Sequence, residues 1–317
     1  MLHLRGNVEG FLHSSSKHKY LRLITGRHDL PFYTRDCVEL QRSFLDAFTK
    51  GVDNAGWSRD EPPKVGYTVR VGNVGFNDAT AEAVYPTKYA ADWPLPATEF
   101  IKYHLTSAGN LSESVDGCGT STMSYKALGN LKNQQLVQFV SDVFQAPTEF
   151  TGPVMAHLSV SVTGEQNSAG QPSDMDIFLT LRHLDTDGHE ILYTGTVGDP
   201  VPVTKGWLRV SMRKVDESRT KSRAWHPERQ YLSTDRLALA PGIVYAVDVE
   251  IWPTNVVMSL GDRLVLEVSS GDTQGAGLFE HNSTLDRDYA TFDGMNHINF
   301  GQDCENWLLM PKIPYVE

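Results

Sequence analysis

The sequence predicts a mainly β protein, in which a jelly-roll β-sandwich follows a short strand, loop and helix. Two observations carry this prediction. With 317 residues, of which 40% are hydrophobic, the chain can bury a sizeable core. From residue 62 onward, strand-length apolar runs alternate with turn signals and show few helical periods. Strands of this number and spacing are typical of a two-sheet antiparallel sandwich.

The segment before the sandwich predicts one strand, one loop and one helix. Residues 20–24 (YLRLI) form a short β-like run, and residues 26–29 (GRHD) turn away from its end. Gly51 follows residues 34–50 as a helix stop. Within 34–50, apolar side chains recur at helical spacing, at Cys37, Leu40, Phe44, Ala47 and Phe48.

Composition sets the domain boundaries. Residues 52–63 are rich in linker residue types and end in Pro62-Pro63, so we place the boundary there. Residues 1–19 contain no apolar core of a signal peptide, and we expect a disordered or misplaced start. The expected units are therefore 1–19, 20–61 and 62–317. Without a signal peptide or a membrane-length apolar window, the sequence predicts a cytoplasmic protein.

The sandwich strands follow from apolar runs and the turns between them. Alternation in residues 156–162 (AHLSVSV) predicts a strand with one buried face. Pro241-Gly242 and Gly261-Asp262 are two of the turn signals. The predicted strands are 65–71, 99–105, 137–140, 154–162, 176–184, 207–212, 244–251 and 263–269.

Charge and metal-binding motifs exclude several functions. The formal net charge of −11 argues against nucleic acid and against anionic membranes as partners. We expect no cofactor and no metal. The run from Asp185 to Gly188 predicts a turn, since it does not complete a calcium loop. The histidines lack the short pairings of a zinc site, among them His183, His189, His281 and His297. The three cysteines predict free thiols, at Cys37, Cys118 and Cys304.

His28 is the candidate catalytic residue. It lies on the loop that leaves the predicted strand at 20–24, just before the amphipathic helix, and reactive groups gather at such strand ends in α/β sheets. In α/β-hydrolases the triad histidine follows the serine and the acid along the chain. Only 27 residues precede His28, and none of them forms a G-x-S-x-G elbow. A surface histidine without a catalytic role is the alternative interpretation.

The chain resembles the cocaine esterase and X-Pro dipeptidyl-peptidase type of serine α/β-hydrolases, over residues 20–314. The first matching part is YLRLITGRH at 20–28, with Phe32-Tyr33 and FLDAFTKGVDN at 44–54. The second part is similar to the C-terminal jelly-roll of that family. Its matching motifs, in order, are Pro62-Pro63, DWPLPATE at 92–99, SDMDIF at 173–178 and GDRL at 261–264.

The resemblance implies a parent enzyme that hydrolyses small ester or peptide substrates through an acyl-serine. It makes residues 20–61 the C-terminal remnant of an α/β-hydrolase domain, with His28 as the triad histidine. The nucleophilic serine and the triad aspartate have no counterpart in this sequence. We therefore expect the chain alone to be inactive.

A second hypothesis is a β-sandwich that binds a ligand or a partner subunit without catalysis, since jelly-rolls frequently do so. A homo-oligomer is compatible with this hypothesis. The sequence selects no ligand, and it does not rank a peptidase above an esterase.

Overall fold

The computed structural model describes residues 3–114, 119–164, 171–220, 223–277 and 279–314, and strands dominate it. Cys118 therefore lies outside the described residues, while Cys37 and Cys304 are free thiols. The helices are α1 (Leu4–His13), α2 (Arg35–Leu45), α3 (Ala79–Glu82), α4 (Glu217–Thr220) and α5 (Tyr289–Phe292). Short 3₁₀ turns are Pro31–Tyr33, Trp57–Arg59, Val210–Met212 and Ser233–Asp235.

The strands confirm the mainly β prediction. The first nine are β1 (Leu21–Leu23), β2 (Val65–Thr68), β3 (Arg70–Val71), β4 (Thr87–Ala90), β5 (Glu99–Leu105), β6 (Asn110–Ser112), β7 (Ser121–Lys126), β8 (Leu136–Ser141) and β9 (Thr148–Thr163). The others are β10 (Asp176–Leu184), β11 (Glu190–Ile191), β12 (Tyr193–Thr194), β13 (Pro200–Val201), β14 (Thr204–Arg209), β15 (Tyr245–Met258), β16 (Arg263–Ser269), β17 (Met295–Phe300) and β18 (Trp307–Ile313).

The large sheet closes on itself. Hydrogen bonds join the strands in the order β9, β18, β5, β6, β8, β16, β10, β14 and β15, and β15 pairs with β9 again. The strands β17 and β7 extend from β9, and β3 lies beside β15. Closure leaves few unpaired strand edges. The enclosed core consists of fully buried side chains such as Phe139, Phe150, Leu158, Ile177 and Leu266.

Three prolines lie within long strands and mark a shared bulge. The pairing of β15 with β9 shifts register between Ile251 and Thr254, and that of β18 with β9 shifts between Leu309 and Lys312. Proline cannot donate to a ladder, so strands accept it at bulges. The sequence predicts a strand that begins after Pro153, at 154–162, and one that ends before Pro253, at 244–251. In the structure both strands continue through these prolines. The three residues are Pro153, Pro253 and Pro311.

The predicted strand at 156–162 forms, but both of its faces are buried rather than one. Its apolar positions face the core, as predicted. The other face lies beneath the turn before β18: the Ser159 amide donates to Asn306 Oδ1 at 2.8 Å, and its hydroxyl donates to the Glu305 carbonyl at 3.0 Å. Ser159 can be buried because this turn supplies its hydrogen-bond partners, and Ser161 is buried against Asn299 of β17, to which its hydroxyl is hydrogen-bonded.

A small sheet of β1, β2 and β4 lies beside the closed sheet. Strands β1 and β2 run parallel, and β4 is antiparallel to β2. One face of this sheet packs against α1, through a shared cluster of buried side chains. Since β1 and β2 flank the linker at 52–63, the boundary expected at Pro62 falls between two strands that pair with each other.

The expected disordered start at 1–19 is wrong for its larger part. Residues Leu4–His13 form α1, with Val8 and Phe11 buried against the small sheet. The helical spacing of these side chains was present in the sequence. It was obscured by Gly6 and Gly10, because glycine lowers helix propensity. Both glycines lie on the exposed side of α1.

The helix predicted at 34–50 forms as α2 and continues as a π-helical turn over Asp46–Lys50. Gly51 ends it with φ of +69°, the left-handed conformation that favours glycine. Among the described residues, no helix has the length and apolar character needed to cross a membrane.

Candidate functional site

The local fold places His28 on an exposed loop at the carboxyl end of β1. Leu21 and Leu23 bury one side of the strand, and Gly26 with φ of +98° turns the chain away from the sheet. The His28 amide donates to the Thr196 carbonyl at 2.9 Å. The sequence therefore located His28 correctly relative to the strand, while its long-range contact with Thr196 was not predicted.

The imidazole of His28 makes one described ring contact. Its centroid lies 5.0 Å from that of His3, in an edge-to-face arrangement. Within the described residues, no hydrogen bond joins this imidazole to a serine or to a carboxylate. The neighbouring Asp29 pairs instead with Arg27 at 3.3 Å. The histidine is thus exposed to solvent, and no described residue supplies a serine or a carboxylate partner for a triad.

His28 opens onto a cleft of about 1030 Å³. The face of the small sheet opposite α1 forms the floor of this cleft, and α2 forms one wall. Residues from β12 and from the bulge of β15 also line the cleft. Lining residues with polar or charged groups include Arg22, His28, Arg70, Glu82, Tyr89 and Tyr193.

Two partly buried arginines, Arg22 and Arg70, line the cleft. Arg70 donates to the carbonyls of Val203 and Asn255 at 3.2 Å, and its guanidinium lies 4.2 Å from the Tyr193 ring centroid. Arg22 also donates to backbone carbonyls. Burial lowers the pKa of both arginines. No carboxylate within the described residues forms an ion pair with either arginine, although the charge of Glu82, which also lines the cleft, acts on Arg70 and partly opposes the effect of burial on its pKa.

A buried hydrogen-bonded chain supports the cleft wall. The Tyr193 hydroxyl lies 2.8 Å from His183 Nδ1, and His183 Nε2 lies 2.6 Å from Asp262 Oδ2. Burial lowers the pKa of His183, although Asp262 acts in the opposite direction. Burial likewise raises the pKa of Tyr193. No short-range pattern in the sequence predicts this hydrogen-bonded chain, because its members lie on separate strands and turns.

A cluster of two glutamates and one histidine joins α1 to β15, and arginines already occupy its carboxylates. Glu9, His226 and Glu250 place potential ligand atoms within 4.8 Å of one another. However, Arg5 Nε donates to both oxygens of Glu250 at 2.8 Å, and Arg223 Nη1 lies 3.8 Å from Glu9. Since two guanidinium groups already neutralise the carboxylates, we interpret the cluster as an ion-pair network between α1 and β15.

The predicted turn at 185–188 is confirmed. The Gly188 amide donates to the Asp185 carbonyl at 3.0 Å, and the Asp185 side chain accepts the amides of Asp187 and His189. The Asp185 carboxylate is therefore occupied by backbone donors of its own turn.

These features define a β-rich domain that carries a cleft and a histidine loop at its border with a parallel strand pair. A sequence model for the X-Pro dipeptidyl-peptidase C-terminal non-catalytic domain matches residues 55–309. The chain therefore belongs to this family, and the resemblance inferred from the motifs is confirmed.

Known relatives are consistent with this membership. The structure is similar to that of a CocE/NonD family hydrolase from Staphylococcus aureus, with 25% identity and a TM-score of 0.81. That match covers 98% of this chain and 52% of the hydrolase. An α-amino acid ester hydrolase shares the fold, at 14% identity and a TM-score of 0.54, over 86% of this chain and 44% of that one.

Curated relatives include proteins of Mycobacterium bovis and Mycobacterium tuberculosis named for a proposed serine esterase activity. Each is 24% identical over 254 residues, which is 72% of this chain and 35% of the relative. The chain thus spans about a third of these relatives and about half of the Staphylococcus aureus hydrolase.

Proposed function

We propose that this chain is the C-terminal part of a serine hydrolase that cleaves ester or amide bonds, and that His28 is its triad histidine. In this proposal residues 20–61 complete an α/β-hydrolase domain, and residues 62–317 form its jelly-roll. The nucleophilic serine and the triad acid come from a catalytic portion outside this sequence. Relatives about twice as long support this division.

The position of His28 is the observation that carries the proposal. It leaves the carboxyl end of β1, which pairs in parallel with β2 and is the edge strand of the small sheet. A parallel strand is normally buried among neighbours. An added strand beside β1 would extend this sheet, and the catalytic groups of an α/β-hydrolase lie at the same end of such strands.

Exposed apolar side chains support a missing partner beside this sheet. They concentrate around the His28 loop and α2, and α2 itself contains no fully buried residue. A cluster of this many exposed apolar side chains usually marks an interaction site. The exposed residues are Ile24, Leu30, Phe32, Tyr33, Val38, Leu45, Phe48 and Val52.

In the proposed mechanism His28 accepts the proton of the serine hydroxyl as its oxygen attacks the carbonyl carbon. His28 then gives this proton to the leaving alcohol or amine as the C–O or C–N bond breaks. Water hydrolyses the acyl-serine in a second cycle, in which His28 again accepts and returns one proton. We propose a small ester or peptide as the substrate.

The test begins with the chain alone, which we expect to show no turnover of nitrophenyl esters or X-Pro amides. The genomic sequence upstream should then encode a G-x-S-x-G elbow and an acid, and co-expression of that portion should restore turnover. His28→Ala should abolish the restored activity. His189→Ala is the matched control, because its side chain is 82% exposed. Fluorophosphonate labelling of a serine in the chain alone would contradict the proposal.

A non-catalytic binding or assembly module is the second candidate, and the description of the matched family favours it. The appropriate protein for testing it is the whole chain, since removal of residues 1–61 would take away the β1 partner of β2. Binding on a glycan array, or a stable homo-oligomer, would favour this candidate, provided that no catalytic portion restores turnover.

A further inference from the structure

A small hairpin of the β-rich domain reaches the His28 loop. Strands β12 and β13 pair as Tyr193 with Val201 and Thr194 with Pro200, so residues 195–199 form the hairpin tip. This tip provides the Thr196 carbonyl that accepts the His28 amide at 2.9 Å. The hairpin therefore connects the large domain directly with the loop of the candidate catalytic residue.

The base of the hairpin is fixed by the buried chain of Tyr193, His183 and Asp262, none of which is more than 4% exposed. Asp262 also accepts the Ser259 amide at 2.6 Å. A carboxylate accepts only, so His183 Nε2 carries the proton donated to it. In the neutral imidazole Nδ1 is then the acceptor, and the Tyr193 hydroxyl donates to it.

The tip and the middle of the hairpin are fixed as well. The Asp199 side chain accepts the Val197 amide at 3.1 Å, and its backbone carbonyl accepts the Gly195 amide at 2.7 Å. Thr194 Oγ1 accepts the Asn77 amide at 2.6 Å and donates to Glu82. Glu82 Oε2 lies 3.5 Å from the position of a Cβ on Gly26, where the His28 loop begins.

We propose that this hairpin is a positioning arm, in which Tyr193 and Asp199 hold the Thr196 carbonyl and thereby fix the direction of His28. This inference rests on the proposed function, because the arm matters for catalysis only if His28 is catalytic. Tyr193 and Asp199 are positioning residues: neither contacts the His28 imidazole. The β-rich domain would thus contribute to catalysis without providing a reacting group.

The first test removes one hydroxyl. In Tyr193→Phe the buried His183 Nδ1 loses its donor, and the hairpin base should loosen. We expect the His28 amide to exchange with solvent about tenfold faster, measured by NMR on chain labelled with ¹⁵N-histidine. The His28 ring signals should shift at the same time. Tyr89→Phe is the matched control, since Tyr89 is 61% exposed on the cleft floor. Equal exchange in both variants would overturn the proposal.

The second test remains informative if Tyr193→Phe does not fold. Asp199→Ala removes the acceptor of the Val197 amide, whereas Asp199→Asn keeps an oxygen at that position. We expect faster His28 exchange in the alanine variant and recovery in the asparagine variant. If the His28 amide exchanges as slowly in both Asp199 variants as in wild type, the positioning arm is refuted.

Exchange and activity separate the two proposals. Exchange is measured on the chain alone and reports positioning whether or not His28 is catalytic. In an assembled hydrolase, Tyr193→Phe should lower kcat with little change in KM. If the variants speed His28 amide exchange as expected but His28→Ala leaves turnover unchanged, the proposed function is rejected. The hairpin would then be a structural contact of the His28 loop only.

Discussion

Replacing Glu267 with glutamine should strongly destabilise the closed sheet. Glu267 is 2% exposed and binds Arg182 through both oxygens, at 3.1 Å to Nε and 3.0 Å to Nη2. Gln138 donates to the same carboxylate at 3.0 Å. In Glu267→Gln the new amide group would face these donors, and the buried guanidinium of Arg182 would lose half of its neutralisation.

The expected loss follows from burial. Breaking a buried ion pair from one side costs about 3–5 kcal/mol, because the remaining charge stays away from water. Arg182 keeps a second carboxylate, Glu190, at 2.8 Å. We therefore expect the lower end, about 3 kcal/mol.

Urea unfolding measures this loss, as the change in midpoint multiplied by the slope found in the same experiment. Glu39→Gln is the matched control, since the pair of Glu39 with Arg42 is about 60% exposed on both sides. Exposed pairs contribute little, so this variant should be close to wild type. Equal midpoints for Glu267→Gln and Glu39→Gln would refute the reasoning.

The same residue predicts a pH dependence. Burial tends to raise the pKa of Glu267, but its hydrogen bonds and the charge of Arg182 lower the pKa overall. A lowered folded-state pKa means that the stabilisation is present above the unfolded value of about 4.3. It is lost as pH falls through the folded-state pKa. The difference between wild type and Glu267→Gln should therefore shrink in acid.

Two glycine substitutions should change the stability of the protein in opposite directions. Gly10→Ala in α1 should stabilise that helix by about 1 kcal/mol, since its Cβ has open space, and amide exchange across α1 should slow. Gly206→Ala should destabilise β14 by about 1–3 kcal/mol, because its Cβ would lie 2.8 Å from the Ile251 Cα. Gly119→Ala, with nothing within 4 Å, is the control in urea unfolding, and an unchanged midpoint for Gly206→Ala would contradict the packing argument.

Short apolar runs and turn residues in the sequence predicted those strands whose bounds depend only on nearby residues. The strands at 99–105, 176–184 and 263–269 have the observed bounds. Strand β18 was missed because Pro311 interrupts it, and a bulge that accepts proline is set by the neighbouring strand. Here a Cβ on Gly152 in β9 would lie 2.8 Å from Pro311 Cβ, so the space for this proline comes from a residue far away in the sequence.

The candidate site likewise contains one residue that local sequence signals predicted and others that they did not. A strand, a turning glycine and a helix place His28 at a strand end, and all three signals lie within 30 residues of one another. Arg70 and Tyr193 line the cleft, and Thr196 contacts the His28 loop, only because segments far apart in the sequence come together in the fold. No short-range pattern distinguishes them from other tyrosines, arginines and threonines.

The arrangement explains how a domain without a catalytic group could still be needed by a hydrolase. Strand β2 follows the linker yet pairs with β1, so the His28 loop is bound at its start by the sheet and at its amide by Thr196. A histidine that must exchange a proton with a serine needs its orientation fixed within a small tolerance. A catalytic portion that packs on β1 would find this orientation already set by the hairpin, rather than having to order the loop itself.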